Sequence, residues 1–561
     1  MKNELIQILH KELTEYFTLD DLVKVLETPP NDELGDYALP CFSLAKKLRK
    51  SPKVIAESIA DKLATIPEIA HLQAVSGYLN IFLNKDWIIN LVLAQSLEQD
   101  YAKGKIDTKT IVEYCSPNTN KPLHLGHLRN MAIGESISRI LKYSGHDVVK
   151  TCIFNDRGVH ICKSMLSYQD FGKGEKPEDK KIKSDHFVGD YYVKFALQAK
   201  LEPNYEDKAL QMLEQWEAGE QEIVSLWRKM NEWAFTGFNE TFQLFGTNFD
   251  KEYYESQIFR NGKEIILAGL AKNIFQKRSD GAVVVDLEKY GLGEKVLLRP
   301  NGTSVYIVQD IYLAYLKNQD FCYDKSIYVV GNEQEYHFTV LKQILKLLGA
   351  SYADGIQHLS YGMVELPEGK MKSREGTVVD ADDLINNTAE LAREEIFKRY
   401  PEMAISEVEK RSIAISLAAI KYQLLKTETS KNMIFNPKEA IRFEGDTGPY
   451  LLYSYARASS ILRKAEVEYE TKPWTANQSE MRLIKKIAQF PEILHDSSTR
   501  LVPSLLASYT YDLCQIFNHF FHDCPVLKSE FASQRLALVS SFRNTISIAL
   551  NLLGIDTLEE M

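Results

Sequence analysis

Hydrophobic positions change their spacing twice along the chain. In the first stretch Leu5, Ile6, Leu9 and Leu13, then Leu44, Leu48, Val54, Ile55 and Ile59, recur with the period of an amphipathic helix. Gly77-Tyr78-Leu79-Asn80-Ile81-Phe82-Leu83 reads as a strand. These patterns predict a small α+β unit over residues 1–105, ending in a polar linker over 100–110. Over 106–381 short β-rich runs at 111–115, 148–154, 282–287 and 327–331 alternate with helical stretches. That alternation predicts a doubly wound parallel sheet, Rossmann-like in architecture. A charged, Gly- and Lys-rich stretch at 172–185 reads as a solvated loop within an insertion. Over 382–561 the strand signals stop. Ile413, Leu417, Ile420 and Leu424, then Leu501, Leu505, Leu513, Phe517 and Phe520, then Leu536, Leu538, Val539, Phe542, Ile546 and Leu550 repeat at helical spacing and predict a helical bundle. The expected fold class is multi-domain α/β: an N-terminal α+β domain, a doubly wound central domain with an insertion, and a C-terminal bundle.

Length agrees, since 561 residues suffice for roughly three or four domains. No apolar run approaches the ~20 residues of a membrane helix. The start, Met1-Lys2-Asn3-Glu4-Leu5-Ile6, lacks a signal-peptide core, so a cytoplasmic protein with no membrane partner is expected. The seven cysteines include no Cys-x-x-Cys pair, so no zinc site is expected, and Cys115, Cys152 and Cys514 read as buried thiols. A net charge of -10 argues against a dedicated nucleic-acid binder. Overall charge says nothing of local patches, however, and a protein that must release RNA gains little from unspecific phosphate attraction.

Chemistry concentrates in Ser116-Pro117-Asn118-Thr119-Asn120-Lys121-Pro122-Leu123-His124-Leu125-Gly126-His127. It follows a predicted buried strand, and a helix is predicted after Leu128. A strand end, a tight turn and a helix start form a site for phosphates. His124 and His127 can donate hydrogen bonds there, Gly126 lets a nucleotide approach the backbone, and Lys121 supplies positive charge. The alternative is a pair of core or surface histidines. A second element, Gly369-Lys370-Met371-Lys372-Ser373-Arg374-Glu375-Gly376, is a cationic loop bounded by glycines. Its Lys370 and Lys372 can reach outer phosphates, though read alone such a loop is also ordinary solvent surface. A bare His-x-Gly-His occurs in small nucleotidyltransferases as well.

Taken together, the Ser-Pro-Asn…Lys-Pro-x-His-x-Gly-His run and the Lys370 loop resemble the two signatures of class I aminoacyl-tRNA synthetases. The chain resembles the arginyl-tRNA synthetase family over nearly its whole length. Gly35-Asp36-Tyr37 with Leu44-Ala45-Lys46 is similar to that family's N-terminal domain, which in relatives contacts the tRNA D-loop region. Gly445-Asp446-Thr447-Gly448-Pro449-Tyr450-Leu451 and Tyr455-Ala456-Arg457 resemble the entry to its helical anticodon-binding domain. The resemblance implies ATP, accompanied by Mg2+, L-arginine and tRNA(Arg) as partners, no zinc, and a monomer. It implies catalytic roles for His124, His127, Lys121, Lys370 and Lys372, and ATP contacts from Pro117, Leu125, Gly126, Met371 and Ser373. Arginine, a planar cation with five donors, needs carboxylate acceptors. By resemblance Glu113, Asp310 and Tyr306 face its guanidinium, and Ser116, Asn118 and Gln334 hold its amino end. Read without the family, Asp310 could cap a helix beginning near Ile311, and Tyr306 could be core. Tyr450, Tyr455 and Arg457 are implied to meet tRNA, with aromatic core packing the equal alternative for the tyrosines.

Two departures stand out. Ser373 occupies the place of the second lysine of the usual Lys-Met-Ser-Lys-Ser loop, and Lys121 is the residue that relatives with this loss carry instead. Asn155-Asp156-Arg157-Gly158-Val159-His160 replaces the frequent Asp-Trp-Gly-x-Gln, so the roles of Arg157 and His160 stay open. Rival readings are a tRNA-binding paralogue without catalysis and another nucleotidyltransferase.

Overall fold

The computed structural model describes residues 1–367 and 379–561. Lys370, Met371, Lys372 and Ser373 lie outside the described residues. In the N-terminal unit, helix Lys2–Leu13 buries Leu5, Ile6, Leu9 and Leu13, the face its period marks. Helix Pro52–Leu63 starts where the Ser51 side chain accepts a hydrogen bond from the Val54 N–H, with proline in the first turn. Ile55 and Ile59 are buried, whereas Val54 is on the outer side of that turn and exposed. This helix packs on an antiparallel sheet of β1 (Tyr37–Pro40), β2 (Ile69–Val75) and β3 (Tyr78–Leu83), ordered β1-β3-β2.

Residues 100–110 are no free linker. Tyr101 is buried, its hydroxyl donates to the Ile487 carbonyl at 2.9 Å, and its ring centroid lies 5.7 Å from that of Phe490. One aromatic anchor outweighs the polar composition around it.

The central unit contributes β4 (Lys109–Glu113), β5 (Asp147–Phe154), β6 (Lys251–Tyr254), β7 (Gln276–Lys277), β8 (Val283–Asp286), β9 (Glu294–Leu298), β10 (Lys325–Gly331) and β11 (Ile356–Tyr361). Five of these form a wholly parallel sheet in the order β11-β10-β4-β5-β6. β4 lies at its centre, which explains why Ile111 and Val112 are wholly buried. Residues 282–287 do not join this sheet. They form β8 of a separate antiparallel sheet, β7-β8-β9. Gly281, Gly291 and Gly293, with φ of 92°, 72° and 67°, turn the chain back within a few residues, and connections that short join antiparallel neighbours only.

Between β5 and β6 the insertion folds as helices Val159–Phe171, Ser184–Leu201, Tyr205–Ala218 and Gln221–Phe245 around Met165, Phe187, Phe195 and Met212. The expected solvated loop at 172–185 is only partly that. Lys183 reaches Asp382 at 2.6 Å, and Asp185 is fully buried beside it.

Among the remaining described residues the elements are helices apart from β13 (Met433–Ile434), which pairs in parallel with β12 (Val364–Glu365). Helices Ala381–Arg399, Ile405–Lys426, Gly448–Arg463, Gln478–Ala488, Pro503–Asp523 and Ala532–Leu552 bury most of the apolar stripes. Their core is continuous with β4, with helix Leu125–Tyr143 and with the N-terminal unit. Among the described residues no helix is long and apolar enough to cross a membrane.

Candidate active site

The site grows from the end of β4. After Glu113 the backbone enters the left-handed region at Cys115 (φ 74°) and Ser116 (φ 46°). Such a conformation in non-glycine residues costs of order 1–3 kcal/mol and persists only when neighbours impose it. Two asparagines do so. Asn130 accepts from the Cys115 N–H at 2.6 Å and donates to the Val329 carbonyl of β10 at 2.8 Å. Asn155, at the end of β5, donates from its side chain to the Ser116 carbonyl at 3.1 Å, and its N–H donates to the Pro117 carbonyl at 3.0 Å. The sequence reading missed both roles, although Asn155 stands in the run flagged as atypical.

Helix Leu125–Tyr143 then begins at the first histidine. The Gly126 N–H donates to His124 Nδ1 at 3.1 Å, and the His124 N–H donates to His127 Nδ1 at 3.1 Å. The two rings lie 3.9 Å apart at 37°. A backbone N–H must meet a lone pair, so each neutral imidazole carries its proton on Nε2. Burial, and secondarily the charge of Lys121, lowers the His124 pKa to about 4. Burial, and after it His124 and Lys121, likewise holds His127 well below its ordinary value. At neutral pH the pair is therefore two uncharged Nε2–H donors and not two cations. A Cβ on Gly126 would stand 2.9 Å from His124 Cε1, so this glycine also makes room for the capping ring.

Lys121 is partly buried, which lowers its pKa, and among the described residues no carboxylate pairs with it. Its neighbour Pro122 is packed by Gly189 of the insertion. The same turn pairs with the chain returning at 379–381: the Leu125 N–H donates to the Val379 carbonyl and the Ala381 N–H to the Leu123 carbonyl, both at 3.0 Å. Arg129, two residues past His127, is fully buried. It donates to the carbonyls of Gly362, Met363, Thr429 and Lys431 at 2.7, 2.8, 3.2 and 2.7 Å. Pro117 and Leu125 are buried.

The residues assigned to arginine come from three elements at the carboxyl edge of the sheet. Asn118 is exposed and Ser116 half-buried. Gln334 is exposed in a short turn following β10. Tyr306 opens helix Tyr306–Phe321 with 77% of its surface exposed, so it is not core, and Asp310 lies in the second turn, not at a cap. Asp310 Oδ2 is 2.6 Å from His337 Nε2. Glu113 is buried, with Oε2 2.6 Å from Lys317 Nζ. Asn118 and Tyr306 open onto a cleft of about 810 Å³ whose wall includes Arg157, His160, Arg260 and Arg299. Arg157 stacks on Phe259 at 3.9 Å and pairs with Glu217 and Glu255.

The residues assigned to tRNA stand apart, in the bundle. Tyr455 is interior, with its hydroxyl 2.8 Å from Glu559 and Arg543 over its ring. Arg457 donates to Asn518 and to the Tyr453 hydroxyl, and Tyr450 accepts from Asn518 at 2.9 Å. Of these three only Tyr450 and Arg457 present partly open surface.

Known proteins resemble this chain over nearly its whole length. The family model "tRNA synthetases class I (R), catalytic domain" matches residues 88–437, "DALR anticodon binding domain" matches 451–561, and "Arginyl tRNA synthetase N terminal domain" matches 3–83. The arginine–tRNA ligase of Treponema denticola is 47% identical over 557 residues, covering 96% of this chain and 94% of that protein. That of Parabacteroides distasonis is 43% identical, covering 94% of each. Among solved structures, Thermus thermophilus arginyl-tRNA synthetase superposes with a TM-score of 0.86 at 28% identity, each chain covered in full.

Proposed function

The chain belongs to the arginyl-tRNA synthetases, class I aminoacyl-tRNA synthetases, and on that premise we propose how its residues carry the reaction. The enzyme activates L-arginine with ATP and transfers the arginine to tRNA, releasing pyrophosphate and AMP. In activation the arginine carboxylate attacks the α-phosphate of ATP. No covalent work falls to the protein, which aligns the attack and stabilises charge spreading over phosphate oxygens. ATP enters as its Mg2+ complex. The observation carrying the reading is the histidine pair: two fixed Nε2–H donors at the mouth of the β4 turn, beside Lys121, which pairs with no carboxylate among the described residues. Neutral donors suit a site that must also release an anionic product, and Lys121 supplies the cationic charge that Ser373 does not. Asp310 and Tyr306 receive the guanidinium with Glu113 behind them, and Ser116, Asn118 and Gln334 hold the amino end. Lys370 and Lys372 meet the outer phosphates, with Met371 and Ser373 beside the nucleotide, and Tyr450 and Arg457 meet the anticodon region. We read the protein as a cytoplasmic monomer.

ATP–pyrophosphate exchange, run with each amino acid and with and without tRNA, tests this. Exchange with arginine alone, strengthened by tRNA, is the expected result. No exchange under either condition would favour a tRNA-binding paralogue, and exchange with a substrate other than an amino acid would favour a different nucleotidyltransferase.

A further inference from the structure

Helix Tyr306–Phe321 carries an anomaly. Ile307, Ile311 and Ala314 mark its buried stripe, and the next position of that stripe is a lysine. Lys317 is 0% exposed. Its Nζ lies 2.6 Å from Glu113 Oε2 and 4.0 Å from the ring centre of Tyr328, the residue beside Glu113 in β10. Neither atom of the pair has another polar partner among the described residues. Asp310 is two helical turns before Lys317, on the same face.

We propose that Lys317 is a positioning residue for arginine: a resident cation that holds the Glu113 carboxylate in place and cancels its charge, so that Asp310 alone sets the net charge of the pocket. The proposal rests on the reading of Glu113 as part of the guanidinium site. An isolated carboxylate in so buried a place would take up a proton, the more so with Asp310 nearby. A protonated Glu113 offers the guanidinium one acceptor fewer and opposes it with an O–H. With Lys317 present, carboxyl and amine hold one proton between them. The pair is neutral overall wherever that proton sits, and Glu113 keeps an acceptor oxygen available at every ordinary pH. A monocationic side chain then meets one net negative charge.

The other groups around Glu113 do not share this task. Cys152 on β5, Tyr253 on β6 and Tyr328 on β10 are all held neutral by burial. His337 reaches Asp310 from the neighbouring helix, and that contact is common to wild type and variants alike.

The test measures the arginine KM and kcat of tRNA-supported exchange from pH 6 to 9 for the full-length wild type, Lys317→Met, Lys317→Arg, Glu113→Gln and the double variant Glu113→Gln/Lys317→Met. For Lys317→Met the arginine KM is expected to rise about tenfold at pH 7 and to fall toward wild type as pH rises, with kcat changing far less. Arginine binding to this variant should release close to one proton, read by calorimetry in two buffers of different ionisation enthalpy. Lys317→Arg should restore the flat profile, and the double variant should be flat at a raised KM. A Lys317→Met profile parallel to wild type overturns the proposal. Should that variant not fold, an altered pH profile in Lys317→Arg, or a pH-dependent excess over wild type in the double variant, does so. An unchanged arginine KM in Glu113→Gln would instead remove Glu113 from the pocket, and with it the reading of the arginine site.

Discussion

Replacing Arg129 by methionine probes the strongest polar anchor of the signature helix Leu125–Tyr143. The side chain is fully buried and donates four hydrogen bonds, to the carbonyls of Gly362 and Met363 before β12 and of Thr429 and Lys431 before β13. Methionine keeps much of the volume, so the loss is mainly of bonds. A hydrogen bond from a charged donor contributes about 1.5–3 kcal/mol net, and a buried acceptor left without a donor costs about 1–3 kcal/mol. Against this, the cost of burying the guanidinium, visible in a pKa lowered to about 10, disappears with it. The balance should resemble the loss of one partner from a buried charged network, about 3–5 kcal/mol. Hydrogen exchange followed by mass spectrometry reads this locally. Amides at 362–364 and 429–434 should exchange about 100-fold faster or more, while β4 and β5 keep most of their protection. Exchange at those segments equal to wild type, together with an unchanged denaturation midpoint, would refute the reasoning.

Other outcomes follow from the same geometry. Lys121→Ala should lower kcat of pyrophosphate exchange by about 100-fold or more, whereas Ser373→Ala should lower it little; equal and small losses would remove Lys121 from the reaction. Asp310→Asn should raise the arginine KM steeply at nearly constant kcat, measured by the same exchange. Because His124 and His127 resist protonation in the folded protein, the unfolded chain binds more protons between about pH 4 and their ordinary value of about 6.5. Stability from this pair is thus complete above about pH 6.5 and falls as pH drops toward 4, and urea melts of His124→Asn should show a shallower fall. Gly134→Ala would put a Cβ 2.2 Å from Tyr114 Cγ and should destabilise by about 1–3 kcal/mol in the same melts.

Much of the site could be read from the chain because its signals are local. A strand end, a glycine between histidines and a helix start occupy neighbouring positions, and the 3.6-residue stripes report burial directly. What escaped depends on partners far away in sequence. Asp185 reads as surface charge until Lys183 and Asp382 gather around it. The run 282–287 has the composition of a central strand, and only its glycine turns send it to another sheet. Arg129 and Lys317 left a trace that could have been followed, since each interrupts an apolar stripe with a charge. The partners that make those charges tolerable could not be read, being carbonyls 233–302 residues away for the one and Glu113 for the other.

The continuity of the interior has a practical meaning for anyone dissecting this enzyme. Tyr101 against Phe490, and helix Lys85–Ser96 against Gln478–Ala488 and Ala532–Leu552, weld the first hundred residues to the last hundred. Cutting the chain at the family-model boundaries would bare an oily scar on both fragments, and each would be prone to clump. The role of the N-terminal unit is therefore better dissected by single surface replacements than by deletion, and calorimetry of the intact protein should show these two ends melting together.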